Sequence, residues 1–213
     1  MDAAIIPIDY GDLVANYPNR TSNTGEFGGR LAHPDLRKFM DSIPGTPCCV
    51  QVSHAFNMAG HLIPQTYPNA RRKNSRIRID GKDYFYLLAV DEMEAYMTHA
   101  FGPGEVVTGT GAMAGQRSRA VRDRLKDRQG LLVMRSSPTS LGVHTEFWDG
   151  NAFHQKDMAT DALLGQARVV FWECAGIPLD HVHAALPGPV RKAGVGPAGG
   201  GVHLGVFVVG QAE

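Results

Sequence analysis

The chain has 213 residues, of which 43% are hydrophobic and 20% charged, the composition of an ordinary globular protein long enough to bury a sizeable core. Lys plus Arg and Asp plus Glu each number 21, and this zero net charge argues against nucleic acid as the main partner, because phosphate binding normally leaves a basic excess. The 3 cysteines cannot all pair within one chain, which excludes a disulfide-framework protein.

The N-terminal residues do not have the pattern of a signal peptide. Asp2 occupies the place of the basic n-region, and Pro7 ends the apolar run before it reaches the length of an h-region. No stretch approaches the roughly 20 apolar residues that a membrane span needs. We therefore expect synthesis in the cytoplasm, no membrane span, and any secretion by a route without a cleaved signal.

The first third of the chain is predicted to be an irregular segment followed by two helices. Residues 1–30 are rich in turn formers, and a short helix is predicted after Pro34. In the second helix, Thr46 suits the N-cap, Pro47 suits the first helical position, and Gly60 suits the left-handed residue just past the end. These signals predict a helix of about three turns.

This second helix carries an apolar stripe. Cys49, Val52, Phe56 and Ala59 recur at helical spacing. Cys48 is one residue out of phase, about 100° away around the helix. The pattern predicts that Cys49 is packed in the core and that Cys48 is free to face a cleft.

The rest of the chain predicts further helices and a sheet. The predicted strands are 76–79, 84–88, 131–134, 144–148 and 169–172. Asp91, with Glu94 three residues later, predicts a capping box at the start of a helix. The Gly-rich segment 108–115 lacks the phosphate-binding motifs and is predicted to be a plain loop, and 117–128 a surface helix. The alternating run 202–209 is either a last strand or an appendage.

Cys48 is the predicted nucleophile. A cysteine attacks a carbonyl only as a thiolate, and the free N–H groups and dipole of a helix N-terminus stabilise an anion by about 0.3–1 kcal/mol. The same amides are suitably placed to bind the oxyanion of a tetrahedral intermediate. Cys49 as nucleophile, or neither cysteine, are the alternatives. The spacing of Cys48, Cys49, His54 and His61 does not fit paired zinc ligands, so we expect no metal and no cofactor.

His144 is the predicted base, although a structural histidine is the alternative. It opens a strand ahead of Asp149-Gly150, the strongest two-residue hairpin signal in the chain, and a strand is a rigid mount for a base. In such a hairpin His144 lies opposite Gln155, and Asp157 lies two residues further along the same face. Either side chain can bond the second imidazole nitrogen and fix its tautomer.

Four segments of the chain resemble the Tae4 family of type VI secretion amidase effectors. Residues 48–64, CCVQVSHAFNMAGHLIP, resemble the nucleophile helix of that family, and residues 144–150, HTEFWDG, resemble its catalytic His strand. Residues 81–93 are similar to its Asp-Gly-x-x-Tyr strand and the following helix, and 171–173 to a late strand. The resemblance covers approximately residues 40–175.

The resemblance implies an α+β fold with a papain-like, NlpC/P60-type core, in which the nucleophile helix packs on an antiparallel sheet. It implies a peptidoglycan DL-endopeptidase (amidase) that cuts the stem peptide between D-glutamate and meso-diaminopimelate. It also implies secretion by the type VI apparatus into the periplasm of a target cell, and a cognate immunity protein. We expect residues 1–185 to form a single Cys–His amidase domain and 186–213 a Gly/Pro-rich extension with a candidate edge strand.

The chain departs from the family pattern at two places. The third catalytic residue of the family is an acid shortly after the hairpin, which favours Asp157 over Gln155, and the usual arginine of the nucleophile helix is Gln51 here. Two other functions stay open from the residues alone. One is a papain-like cysteine hydrolase or acyl transferase acting on another amide, and the other is a catalytically inactive binding module associated with secretion.

Overall fold

The structure, a computed structural model, describes residues 4–19, 30–43, 47–155 and 159–176. The helices are α1 (Tyr10–Ala15), α2 (Pro34–Ser42), α3 (Cys48–Met58), α4 (Val90–Phe101), α5 (Ala114–Leu125) and α6 (Thr160–Leu164). The strands are β1 (Ile5–Ile6), β2 (Pro18–Asn19), β3 (Arg30–Leu31), β4 (Ser75–Ile79), β5 (Lys82–Tyr86), β6 (Glu105–Val106), β7 (Gly130–Arg135), β8 (His144–Trp148) and β9 (Arg168–Cys174). The strand predicted at 202–209 and the domain boundary at 185–186 lie outside these residues and stay predictions.

The main sheet has the order β1-β9-β7-β8, with β6 also paired to β9. The β6, β7, β8 and β9 pairings are antiparallel, whereas β1 joins β9 in parallel. A separate hairpin joins β4 to β5 through Asp80 and Gly81, whose φ angles of 47° and 78° are those that an Asp-Gly hairpin turn requires. The predicted α+β class and the predicted antiparallel sheet are confirmed.

Helices cover both faces of the main sheet, so β7 is buried along its whole length. Successive side chains of a strand point to opposite faces, and β7 divides accordingly. Leu131 and Val133 pack in the larger core cluster with α1, α3 and α4, while Leu132 and Met134 pack in a second cluster with α5 and α6. The nucleophile helix predicted from the sequence therefore lies in the layer above one face of the sheet.

Helix α3 has nearly the predicted bounds. It begins at Cys48 with Pro47 as its N-cap and without a side-chain cap, one residue later than expected, and Thr46 lies outside the described residues. Gly60 follows the helix with a φ of 90°, as predicted for the residue just past its end. Val52 and Phe56 are fully buried, which confirms the predicted apolar stripe.

Two buried polar side chains of α3 fix the helix against β5 and the following loop. Ser53 Oγ accepts a hydrogen bond from the backbone N–H of Leu87 at 3.1 Å. Asn57 donates from Nδ2 to the carbonyl of Phe85 at 2.9 Å and accepts at Oδ1 from the N–H of Ile63 at 2.8 Å. Because buried polar groups are costly without partners, these bonds favour one position of the helix.

The predicted capping box at the start of α4 is wrong. The helix begins there without a side-chain cap. Asp91 instead accepts a hydrogen bond from Arg71 at 2.6 Å, and Glu94 accepts one from Arg135 at 2.8 Å. Both carboxylates face guanidinium groups from distant parts of the chain, and charge-assisted bonds of this kind outweigh a local cap.

The predicted two-residue hairpin after β8 is also wrong. Trp148 forms an antiparallel bridge with Phe153, which leaves a four-residue loop. The Asp149 carboxylate accepts the backbone N–H groups of Asn151 at 2.8 Å and Ala152 at 2.6 Å. An aspartate that bonds the backbone two residues ahead forms its own turn, so the Asp-Gly pair is used differently here.

Within the described residues, none of the helices combines the length and apolar character needed to span a membrane.

Candidate active site

The first turn of α3 and the first residue of β8 meet in the interior. Cys48 begins α3 and is 3% exposed, and His144 begins β8 and is equally buried. The Cys48 thiol is hydrogen-bonded to the His144 imidazole and also receives the backbone N–H of Thr145. The structure therefore brings together the two residues that the sequence predicts as nucleophile and base.

Cys48 is more enclosed than its helical phase predicts. Cys48 and Cys49 both belong to the larger core cluster, and Cys49 is 2% exposed. The enclosure arises because α3 packs against β8, α1 and β2. Helical phase describes only one helix, and these neighbours come from distant parts of the chain.

The two cysteine thiols have opposite acidities. A hydrogen bond from Cys49 is the largest influence on Cys48, and, against the effect of burial, it and the bond and charge of His144 hold the pKa of the Cys48 thiol well below its ordinary value. Bonding to Cys48, together with burial, raises the pKa of Cys49 well above its ordinary value. Cys49 thus stays protonated and donates S–H to a Cys48 thiolate.

The proton of the pair resides on His144. Burial lowers the pKa of the imidazole, but its hydrogen bond to Cys48, the nearby Glu146 carboxylate and the charges of both raise that pKa to about 9. The thiol pKa is lowered while the imidazole pKa is raised, and these opposite shifts favour a thiolate–imidazolium pair over a neutral thiol and imidazole. This is the state in which a cysteine is ready to attack a carbonyl.

Replacing Cys49 by alanine is expected to raise the pKa of Cys48 by about one pH unit, because a hydrogen bond to a charged group contributes about 1.5–3 kcal/mol. Since the thiolate forms only above its pKa, the acid limb of the reaction between Cys48 and iodoacetamide should move upward. Mass spectrometry of the Cys48 peptide across the pH range measures it. Cys174→Ala, which removes another buried thiol, should leave the curve in place. An unmoved curve in Cys49→Ala would contradict this role.

Glu146 is a site residue that the sequence reasoning missed. Its side chain is fully buried, and its Oε2 lies 3.7 Å from Nε2 of His144, which is an ion-pair distance. The carboxylate accepts the hydroxyl of Tyr17 at 2.9 Å and the backbone N–H of Phe147 at 2.8 Å. The available signal was its place two residues after the candidate base, because alternate residues of a strand share a face.

The orientation of the imidazole follows from this contact. Within the described part of the chain, Nε2 of His144 has no hydrogen-bond partner and lies on the Glu146 side of the ring. The bond to the Cys48 thiol therefore falls to Nδ1. The second ring nitrogen is left for a carboxylate, in the arrangement that fixes a tautomer in Cys–His enzymes.

The sequence offers Gln155 and Asp157 as candidates for the third catalytic residue, and the structure describes only the first of them. Gln155 is half-buried, and in the described residues no hydrogen bond joins it to His144, which pairs with Met134 across the β7–β8 ladder. The bridge between Trp148 and Phe153 differs by two residues from the predicted register, so the placement of Gln155 opposite His144 is wrong. Asp157 lies outside the described residues.

Gln51, which replaces the usual arginine of the resembled helix, connects the N-terminal segment to α3. Its side chain is 4% exposed and donates from Nε2 to the carbonyl of Pro18 at 2.9 Å. The neighbouring Tyr17 is bonded to Glu146. Residues before α2 therefore contribute to the walls of the site.

Other histidines near α3 have separate partners. His54 Nδ1 lies 3.0 Å from the Tyr86 hydroxyl, and His61 Nε2 lies 2.8 Å from the Tyr96 hydroxyl. Among the residues that the structure describes, no group of three or more His, Cys, Asp or Glu side chains is arranged to hold a metal ion.

A sequence model described as type VI secretion system (T6SS), amidase effector protein 4 (Tae4), matches residues 46–172, more than half of the chain. The chain belongs to the Tae4 family. The matched region contains α3 and β8, and therefore both Cys48 and His144, whereas Tyr17 precedes it. Among curated protein sequences, none matches this chain.

Solved Tae4 structures share the fold. The Tae4–Tai4 effector–immunity complex from Enterobacter cloacae matches with 15% identity and a TM-score of 0.53, covering 79% of this chain and 99% of that one. Tae4 from Enterobacter cloacae matches with 15% identity and a TM-score of 0.52, covering 82% and 99%. The Salmonella Typhimurium Tae4–Tai4 complex matches with 15% identity and a TM-score of 0.51, covering 78% and 98%. The papain-like, NlpC/P60-type fold is thereby confirmed.

Proposed function

We propose that this Tae4-family protein cleaves the peptidoglycan stem peptide between D-glutamate and meso-diaminopimelate, with Cys48 as the nucleophile and His144 as the general acid and base. Its family is that of type VI secretion amidase effectors, so the enzyme class, an amidase that hydrolyses peptidoglycan, follows from membership. The observation that carries the residue assignment is the hydrogen bond between Cys48, at the N-terminus of α3, and His144.

Acylation begins with attack of the Cys48 thiolate on the carbonyl carbon of the scissile amide. As the S–C bond forms, the carbonyl π electrons move to oxygen, and backbone N–H groups of the first turn of α3 are suitably placed to stabilise that oxyanion. The His144 imidazolium gives its proton to the amide nitrogen, and the C–N bond breaks. The amine departs, and the acyl group stays bound to Cys48 as a thioester.

Deacylation reverses the roles of the imidazole. Neutral His144 removes a proton from a water molecule, whose oxygen attacks the thioester carbonyl. The second tetrahedral intermediate collapses, the C–S bond breaks, and the carboxylic acid is released. Cys48 returns as the thiolate and His144 as the imidazolium, so the resting pair is restored.

Asp157 stays our candidate for the third catalytic residue. The family pattern, an acid shortly after the hairpin, favours it over Gln155, and in the described residues no hydrogen bond joins Gln155 to His144. Asp157 itself lies outside the described residues. The replacement Asp157→Asn tests it directly, since a residue that fixes the imidazole tautomer is needed for every turnover.

The surroundings of the reaction follow from the family. A type VI effector is delivered by the type VI secretion apparatus, and we place its action in the periplasm of the target cell, where the peptidoglycan substrate lies. The matched structures from Enterobacter cloacae and Salmonella Typhimurium are effector–immunity complexes with Tai4. They support a cognate immunity protein for this chain.

Digestion of purified diaminopimelate-type peptidoglycan, with mass analysis of the products, tests the proposed bond. We expect disaccharide-dipeptide ending in D-glutamate and fragments with a new diaminopimelate amino terminus. Peptidoglycan carrying lysine at the third position serves as the comparison for substrate choice. Cleavage at any other bond would exclude the DL-endopeptidase assignment and favour a cysteine hydrolase acting on a different amide.

A further inference from the structure

We infer that Glu146 is a positioning residue that holds His144 in its protonated form beside the Cys48 thiolate. The inference rests on the proposed roles of Cys48 and His144. This function of Glu146 is separate from that of the third catalytic residue, for which Asp157 is our candidate.

The first support is the geometry of the buried carboxylate. Glu146 is fully buried on β8, and its Oε2 lies 3.7 Å from Nε2 of His144. That distance is longer than a hydrogen bond but within ion-pair range. Because the opposite ring nitrogen bonds the thiol, the imidazole lies between an anionic sulfur and an anionic carboxylate.

The second support is the cost of burying a charge. An ionised carboxylate out of contact with water is strongly unfavourable unless it is paired and hydrogen-bonded. The hydrogen-bond donors to Glu146, the Tyr17 hydroxyl and the Phe147 N–H, are neutral, and in the described residues its ion pair is with His144. Protonation of His144 therefore compensates a charge that would otherwise be isolated.

The third support is Tyr17, whose hydroxyl hydrogen-bonds Glu146 without neutralising its charge. Burial and the nearby charges of Glu146 and Cys48 raise the pKa of Tyr17 well above its ordinary value, so its hydroxyl stays neutral and donates to Glu146. Among the described residues, the His144 imidazolium is therefore left as the positive charge that pairs with Glu146.

Other titratable groups surround the pair and bear on its pH dependence. They come from α1 and the short segment that follows it, from α3, and from the residues after β8: Tyr10, Tyr17, Cys48, Cys49, Asp149 and His154. The pKa of Tyr10 is raised by burial and by the charges of Asp149 and Glu146, so it too stays neutral. Among the described groups, Glu146 is the carboxylate in ion-pair contact with His144.

The replacement Glu146→Gln removes the charge and keeps the shape. Without the carboxylate, the pKa of His144 falls, since an opposite charge at this range shifts a pKa by one to three units. The imidazolium then stabilises the Cys48 thiolate less well, so we expect the acid limb of Cys48 alkylation by iodoacetamide to move up by about one pH unit. NMR titration of the His144 ring should show the imidazolium losing its proton at lower pH. In the amidase assay, kcat should fall and its pH optimum move, with KM little changed.

Glu105→Gln is the matched control. Glu105 is a partly buried carboxylate on β6 that pairs with Arg124 and Arg128, and β9 and β7 separate it from β8 in the sheet. Its loss should lower stability without moving the alkylation curve. A folded Glu146→Gln protein whose alkylation curve and His144 titration match those of the unsubstituted chain would overturn the inference.

Tyr17→Phe gives a second readout that keeps the carboxylate. With one donor removed, Glu146 becomes a stronger partner for the imidazolium, and the His144 titration should move to higher pH, opposite to the effect of Glu146→Gln. If Glu146→Gln does not fold, an unmoved His144 titration in Tyr17→Phe overturns the inference. Alkylation and NMR need no substrate, so these shifts in a protein that leaves peptidoglycan intact would support Glu146 while excluding the proposed reaction.

Discussion

Replacement of Cys48 by alanine is expected to lower the amidase rate by at least about a thousandfold, because the proposed acyl-enzyme forms on the Cys48 sulfur and alanine has no nucleophilic atom. Release of new amino termini from purified peptidoglycan measures the loss. Cys174→Ala should stay active, since Cys174 is a buried thiol on β9 outside the proposed pair. Thermal unfolding of each variant separates lost chemistry from lost fold.

The same prediction has a second part, since Cys48 and His144 act as one unit. His144→Gln alone should cost nearly as much as Cys48→Ala, and the double variant should lose little more than either single one, because a nucleophile without its base is already disabled. If the fold-loss of the double variant equalled the product of the two single losses, Cys48 and His144 would not act in one shared step. Retention of a tenth or more of the activity in Cys48→Ala would exclude Cys48 as the nucleophile.

Replacement of Trp172 by alanine is expected to lower the free energy of unfolding by about 3–5 kcal/mol. Trp172 is fully buried on β9, and its Nε1 donates to the carbonyl of Gly102 at 2.9 Å. A Cβ at Gly104 would lie 2.6 Å from the indole, so the main chain packs directly on the ring. Loss of the ring leaves a cavity and removes the hydrogen-bond donor to the Gly102 carbonyl, and both effects destabilise the fold.

Urea unfolding at constant pH measures the effect of Trp172→Ala, and the melting temperature should fall by about 10 °C for a chain of this size. Trp172→Phe is the control, because it keeps most of the volume and loses chiefly the hydrogen bond, so its effect should be clearly smaller. A loss below about 1 kcal/mol in Trp172→Ala would contradict this account of the core.

The sequence predicted those elements whose signals are local. Signals between residues close together in the chain predict three features: the buried face of α3, the Asp80-Gly81 turn, and the strands β7, β8 and β9. The Cys48–His144 pair was predicted as well, although it joins distant residues. There the resemblance to a family supplied what periodicity alone could not, since many histidines compete for the role of base.

The errors arose where tertiary contacts outweigh local preference. Asp91 and Glu94 have capping spacing, yet both bond arginines far away in the chain. Glu146 went unnoticed because its hydroxyl partner, Tyr17, is 129 positions distant. Helical phase placed Cys49 in the core as observed, but phase carries no information on a bond between adjacent thiols.

The anchors of α3 bear on how far this fold tolerates sequence divergence. Ser53, Asn57 and Gln51 all bond main-chain atoms of their partners, and none of these bonds uses a partner side chain. Every residue offers a carbonyl, and every residue except proline an N–H, so the partner segments are free to change composition while the helix keeps its place. Bonds of this kind give a physical reason why chains only 15% identical can share one fold.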